Sequence, residues 1–134
     1  MSPSADAKVE RPLSPHLTIY KPQLTSVLSI FHRMTGVALA CGLVIFVWWL
    51  VSLAKGPESY AGFVTCSQSI VGQVVLFGLT VAFFYHLSCG IRHLLWDTGL
   101  FLELKETYKT GRIVLAATVI MTAIVWLKAY GVFL

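Results

Sequence analysis

Three runs without a formal charge decide what this chain can become. They cover residues 35–54, 67–91 and 113–127, about 20, 25 and 15 residues. A helix that crosses the apolar core of a bilayer needs about 20 residues at about 1.5 Å each. The first two runs meet that length outright. The third meets it, out to Leu134, if Lys128 lifts its ammonium to the interface. Hydrophobic residues make up 57% of the 134-residue chain and charged residues 12%. A water-soluble domain this small needs a polar shell, and too few polar residues are present to make one. The runs therefore read as three membrane-spanning helices, over about 27–54, 67–96 and 112–133, in one transmembrane domain covering 27–134. Trp48, Trp49, Trp96, Trp126 and Tyr130 fall near their ends, where aromatic belts form.

The basic residues give an orientation. Lys8, Arg11, Lys21 and Arg33 precede the first span, and Arg92, Lys105, Lys109 and Arg112 follow the second. Only Lys55 and Lys128 lie at the other ends. Eight against two puts the N-terminus and the 92–112 loop in the cytoplasm, or in an organelle matrix. The net charge of +4 is thus mainly a topology signal. No dense basic cluster exists, so no nucleic-acid partner is expected.

Residues 1–26 read as a polar N-terminal arm followed by an interfacial segment on the inner face. Pro12, Pro15 and Pro22 forbid a continuous helix there. His16 in that segment reads as a surface histidine. Asp6, and the lack of an apolar h-region after it, argue against a signal peptide. The arm also lacks the Arg-rich, acid-poor character of a transit peptide. That favours a bacterial plasma membrane over a mitochondrial inner membrane. Thr25 or Ser26 would cap the first helix. The stretch "KGPESYAG" (55–62) reads as a turn, and 97–112 as a loop with room for a short interfacial helix.

Some chemistry is excluded. Cys41, Cys66 and Cys89 form no CxxC pair and are too few to hold an iron–sulfur cluster. No GxGxxG motif or P-loop is present, so the chain is no nucleotide-binding unit.

The informative stretch is "YHLSCGIRHLLW" (85–96). His86 and His93 are seven residues apart, so they share a helix face about 10 Å apart along the axis. One straight helix cannot bring both to one ion. His86 lies near mid-membrane and His93 near the inner interface. A b-type haem wants that arrangement: a deep neutral imidazole for its iron, and shallow polar groups for its propionates. His86 is then the axial ligand, and Arg92 and His93 are propionate partners. Gly90 lies one turn from His86 and would admit a flat ring. The pattern alone does not separate haem from a proton-relay histidine.

A second cluster is "SIFHR" (29–33). Ser29 and Arg33 are four apart and share a face. His32 lies three from Ser29. All fall at the level expected for His93, because the two helices run in opposite directions. A hydroxyl and a guanidinium aimed at one spot can donate to a carbonyl oxygen, such as those of a quinone. An interfacial Arg33 bound to lipid phosphate is the plainer alternative. Gly36, Ala38, Ala40 and Gly42 on the first helix read as helix packing and imply no ligand.

"RPLSPHLTIYKPQLTSVLSIFHRMTG" (11–36) and "YHLSCGIRHLLWD" (85–97) together resemble the cytochrome b556 membrane anchors of succinate dehydrogenase, complex II. The likeness spans nearly the whole chain. It implies an all-α integral membrane fold of three transmembrane helices, forming half of a heterodimeric haem-binding bundle. It implies that His86 is the axial iron ligand of haem b, and that His32, His93 and Arg33 lie around that cofactor. It implies that Ser29 and Arg33 line the ubiquinone pocket. A second small anchor subunit would supply the other axial histidine. An iron–sulfur subunit and a flavoprotein subunit would dock on the inner face. The chain would then belong to an oxidoreductase complex passing electrons from succinate to ubiquinone. Two rivals stand beside this reading. One is a fumarate reductase-type anchor, although a two-haem form needs about four ligand histidines on its spans. The other is a non-haem transport or assembly subunit using His86 as a proton site.

Overall fold

The structure, a computed structural model, describes His16 and residues 21–131. The expected N-terminal arm and interfacial segment, 1–26, lies outside the described residues except for His16 and 21–26. Among the described residues all regular structure is helical. In chain order, α1 is Leu24–Lys55, α2 is Pro57–Gln68, α3 is Ile70–Asp97 and α4 is Leu104–Ala129. Helices α1, α3 and α4 are long and apolar enough to cross a membrane.

The helix breaks have local causes. At its start, α1 has Gln23 as N-cap with no side-chain bond, rather than Thr25 or Ser26. Gly56 ends α1 at φ +102°, a region that favours glycine. Pro57 then starts α2 with its φ already set for a helix. The expected turn at 55–62 is therefore mostly the first turns of a 12-residue helix. Ser69 divides α2 from α3, and its hydroxyl accepts from the Gly72 N–H at 3.1 Å. A Cβ at Gly72 would collide with the Cys66 carbonyl, so only glycine permits so tight a corner.

The third spanning helix begins earlier than the charge pattern predicts, at Leu104 rather than about 112. The charged residues of that segment sit on helical turns instead of in a loop. What connects α3 to α4 is only 98–103. Gly99 at φ +84° and Phe101 at φ +61° reverse the chain. Phe101 pays for this conformation with hydrogen bonds to its carbonyl, from Trp96 Nε1 at 3.2 Å and Thr107 Oγ1 at 3.1 Å.

Helix α3 packs against both α1 and α4, while α1 and α4 touch over a shorter length. The tightest meeting point lies at the end where α1 and α4 begin and α3 finishes. Leu28, Tyr85, Cys89 and Val114 form the core there, with Leu24 against it. Gly111 lets α4 approach α1, since a Cβ on it would stand 2.8 Å from Leu28 Cδ1. Tyr85 reaches across from α3 and donates to the Leu28 carbonyl at 2.8 Å. Elsewhere the helices present Ile, Val, Leu and Phe outward, among them Ile30, Val37, Val44, Val74 and Ile120. Such a surface suits lipid or another apolar subunit.

Candidate functional site between α1 and α3

Ser29, His32, Arg33 and Gly36 follow one another at helical spacing along one side of α1. Opposite them, α3 presents His86, Cys89 and His93. The antiparallel packing sets the two series side by side. The His32 ring sits edge-on to His86, with centroids 4.1 Å apart. It also sits edge-on to His93, at 5.2 Å. His93 in turn meets Trp96 at 5.1 Å. The result is a row of rings, His86–His32–His93–Trp96. Sequence reasoning placed His86 deep and the other two shallow; His32 bridges the two levels.

His86 is held by α1. Its Nδ1 is 3.1 Å from the His32 carbonyl oxygen and 3.3 Å from Thr35 Oγ1. A carbonyl can only accept, so Nδ1 carries the proton in this bond. The lone pair of the neutral ring then resides on Nε2, the tautomer that a metal requires. Gly36 makes the approach possible. A Cβ there would stand 3.1 Å from His86 Cε1. His32 Nδ1 is buried with no hydrogen-bond partner among the described residues. A buried polar atom without a partner is costly, and a propionate or water beside it would supply one.

Beyond His93 the site opens into a cavity of about 450 Å³. Ser29, Arg33, Cys89, Arg92, His93 and Trp96 line it, with Ile30 on its apolar side. Arg33 Nη2 donates to Ser29 Oγ at 3.3 Å. The two groups expected to face one carbonyl oxygen thus share one cavity and are already oriented towards each other.

One expectation needs correction. Arg92 shares the cavity wall with His93, but its hydrogen bonds go to the other side. It is 5% exposed and turns towards α4, donating from Nε to Thr110 Oγ1 at 3.0 Å and from Nη2 to the Thr107 carbonyl at 2.8 Å. Its guanidinium also lies 3.9 Å over the Trp96 ring. Six residues after His86 is a rotation of about 240°, so the direction was readable from helical geometry. Gly90, expected to admit a flat ring, has open space beside it, with nothing within 4 Å of a Cβ built on it. The glycine that touches His86 is Gly36, on the other helix. Thr35 was also missed. Its place three residues after His32 and one before Gly36 was the available signal, but only the packing of α3 shows what it meets.

Among the described residues no three His, Cys, Asp or Glu side chains are grouped to hold a metal ion. The histidine row is not a self-contained metal cage. What it offers is one oriented imidazole with polar groups ranked beside it.

Residues 7–125 match the model of the succinate dehydrogenase/fumarate reductase transmembrane subunit. The chain belongs to that family. A succinate dehydrogenase cytochrome b556 subunit of Rickettsia conorii is 45% identical over 117 residues, covering 87% of this chain and 91% of the relative. The subunit of the same name from Paracoccus denitrificans is 38% identical over 123 residues, covering 92% and 94%. A cytochrome b560 subunit of Reclinomonas americana is 44% identical over 124 residues, covering 89% and 86%. A family of transmembrane subunits accounts for the three apolar helices and for their exposed faces. Membership covers both the α1 and α3 segments that build the site.

Proposed function

We propose that this chain is the membrane-anchor cytochrome b subunit of a succinate:ubiquinone oxidoreductase, holding haem b and forming part of the ubiquinone-reduction site. The observation that carries the reading is His86: a membrane-depth imidazole whose Nδ1 is tied to a backbone carbonyl, leaving Nε2 for iron. A fixed carbonyl on Nδ1 is the outer-nitrogen partner that a metal-ligating histidine characteristically has, which favours the ligand reading over a proton relay.

The residues present fit a haem. His86 would hold the iron, with a second small anchor subunit supplying a further ligand. His32, with its unpartnered Nδ1, would stand with His93 and Arg33 at the propionates. When bound, the haem supplies a one-electron centre close to the quinone cavity. Arg33 and Ser29 would donate to a quinone carbonyl oxygen and stabilise the negative charge that grows on it during reduction. Their mutual bond holds them in place beforehand. Trp96 and Ile30 would flank the apolar ring. Electrons would arrive from the iron–sulfur subunit, which is loaded in turn by the flavoprotein.

The basic residues support an orientation with the N-terminus and the site end of the bundle on the cytoplasmic side of a bacterial plasma membrane, or the matrix side of a mitochondrial one, where those two soluble subunits would dock. The test is the absorption spectrum of the purified complex. The reduced form should show a b-type band, and His86→Ala should remove it. An unchanged band in that variant would overturn the assignment.

A further inference from the structure

Thr35 lies against the proposed iron ligand at a distance that helix geometry alone does not explain. Its Oγ1 is 2.8 Å from the Phe31 carbonyl, 2.9 Å from the His32 carbonyl and 3.3 Å from His86 Nδ1. Threonines in helices often bond back to a carbonyl three or four residues earlier. Thr80 and Thr118 do so here, at 2.7 and 2.8 Å from the Leu76 and Val114 carbonyls. Thr35 combines that back-bond with a contact to a histidine on the neighbouring helix.

Proton counting shows what the contact must be. A hydroxyl has one proton and two lone pairs. Both carbonyls can only accept, so the Thr35 proton is directed at one or both of them. The side of the oxygen facing His86 is then a lone pair. His86 Nδ1 carries its proton, because the His32 carbonyl beside it also only accepts. One N–H therefore faces two acceptors, the His32 oxygen at 3.1 Å and the Thr35 oxygen at 3.3 Å. The Thr35 hydroxyl also bonds the same His32 carbonyl, so the three atoms form a closed triangle.

We propose that Thr35 is a positioning residue for the haem ligand: its hydroxyl and the His32 carbonyl jointly fix the His86 ring and raise the basicity of Nε2. This rests on the haem reading given above. Acceptors on the outer nitrogen push electron density into an imidazole and make it a stronger donor to iron. A stronger donor favours the ferric state, so the hydroxyl lowers the midpoint potential. It also limits the rotation of the ring, which Gly36 alone leaves free on that side.

The test uses the whole complex in membranes, with Thr35→Val, Thr35→Ala and Thr35→Ser. Redox titration of the b-type band reads the potential, and the haem-to-protein ratio reads retention. Thr35→Val and Thr35→Ala should titrate at a higher potential than wild type, while Thr35→Ser should titrate close to wild type. A wild-type potential in either apolar variant overturns the proposal. So does a Thr35→Ser shift as large as that of Thr35→Val, because the hydroxyl would then not be the cause. If the apolar variants fail to assemble, Thr35→Cys, which replaces the hydroxyl by a weaker acceptor of similar size, still decides. It should titrate at a higher potential than wild type, and a wild-type potential there overturns the proposal. The two readings fail separately. Retention of the band in His86→Ala removes the haem assignment itself. Loss of the band there, with wild-type titration of Thr35→Val, removes only the role of Thr35.

Discussion

Gly36 of α1 lies against the ring of His86 on α3. A Cβ at Gly36 would stand 3.1 Å from His86 Cε1 and 3.6 Å from Nδ1. The first distance is tighter than ordinary van der Waals contact, so a methyl group would push the ring by a few tenths of an ångström. The ring also cannot slide along α1 without losing the His32 carbonyl. Gly36→Ala should therefore weaken haem retention modestly, and Gly36→Val strongly. Overpacking costs about 1–3 kcal/mol, which is roughly 5- to 150-fold in occupancy. Haem-to-protein ratios of the purified complex check this. Full haem content in Gly36→Val would show that the contact does not position the ligand.

If the proposed quinone site is right, changes at Arg33 and Ser29 should separate quinone chemistry from succinate chemistry. Both line the cavity beyond the histidine row, whose wall His93 and Trp96 complete. A hydrogen bond to a charged group is worth about 1.5–3 kcal/mol, roughly 10- to 100-fold in rate if it forms as charge develops. Arg33→Leu should lose that factor in quinone reduction, and Ser29→Ala a smaller one. Succinate oxidation by an artificial dye should be unaffected in both. Normal quinone turnover in Arg33→Leu would refute the assignment.

Much of this was legible in the residues themselves. Charge-free length identified the spans, and a period of 3.6 put Ser29 with Arg33 and His86 with His93. What periodicity cannot give is which face of one helix meets which face of another. Gly36 looked like packing, and Thr35 like nothing, because their meaning comes from the ring opposite. The start of α4 was misplaced for a different reason. Charged residues end an apolar run but do not end a helix, and the turns carrying Lys105, Glu106 and Lys109 remain helical. Arg92 is the one error that geometry already contradicted.

The bonds of Arg92 tie α3 to the start of α4. This residue is a buried cation whose bonds go to Thr107 and Thr110, with Trp96 beneath it. No carboxylate lies in salt-bridge reach of it among the described residues; the one such ion pair is Lys109–Glu106 at 3.7 Å. Arg92→Leu should cost about 2–4 kcal/mol by loosening α3 from the start of α4. The melting temperature of the solubilised complex should fall, while the haem spectrum below the transition stays normal. Haem loss at an unchanged melting temperature would return Arg92 to the propionates.

The orientation of the bundle can be read through its cysteines. Cys66 is exposed at the end of α2, at the opposite end of the bundle from Ser29 and His93. Cys89 is buried in the core at the site end, and Cys41 lies within the apolar length of α1. With the basic residues inside, Cys66 belongs to the outer face. A membrane-impermeant maleimide added to intact cells, after removal of the outer barrier, should modify Cys66 and leave Cys41 and Cys89 unmodified. Cys66→Ser should abolish the labelling. Modification of Cys66 only in inverted vesicles would reverse the topology, and with it the docking face proposed for the soluble subunits.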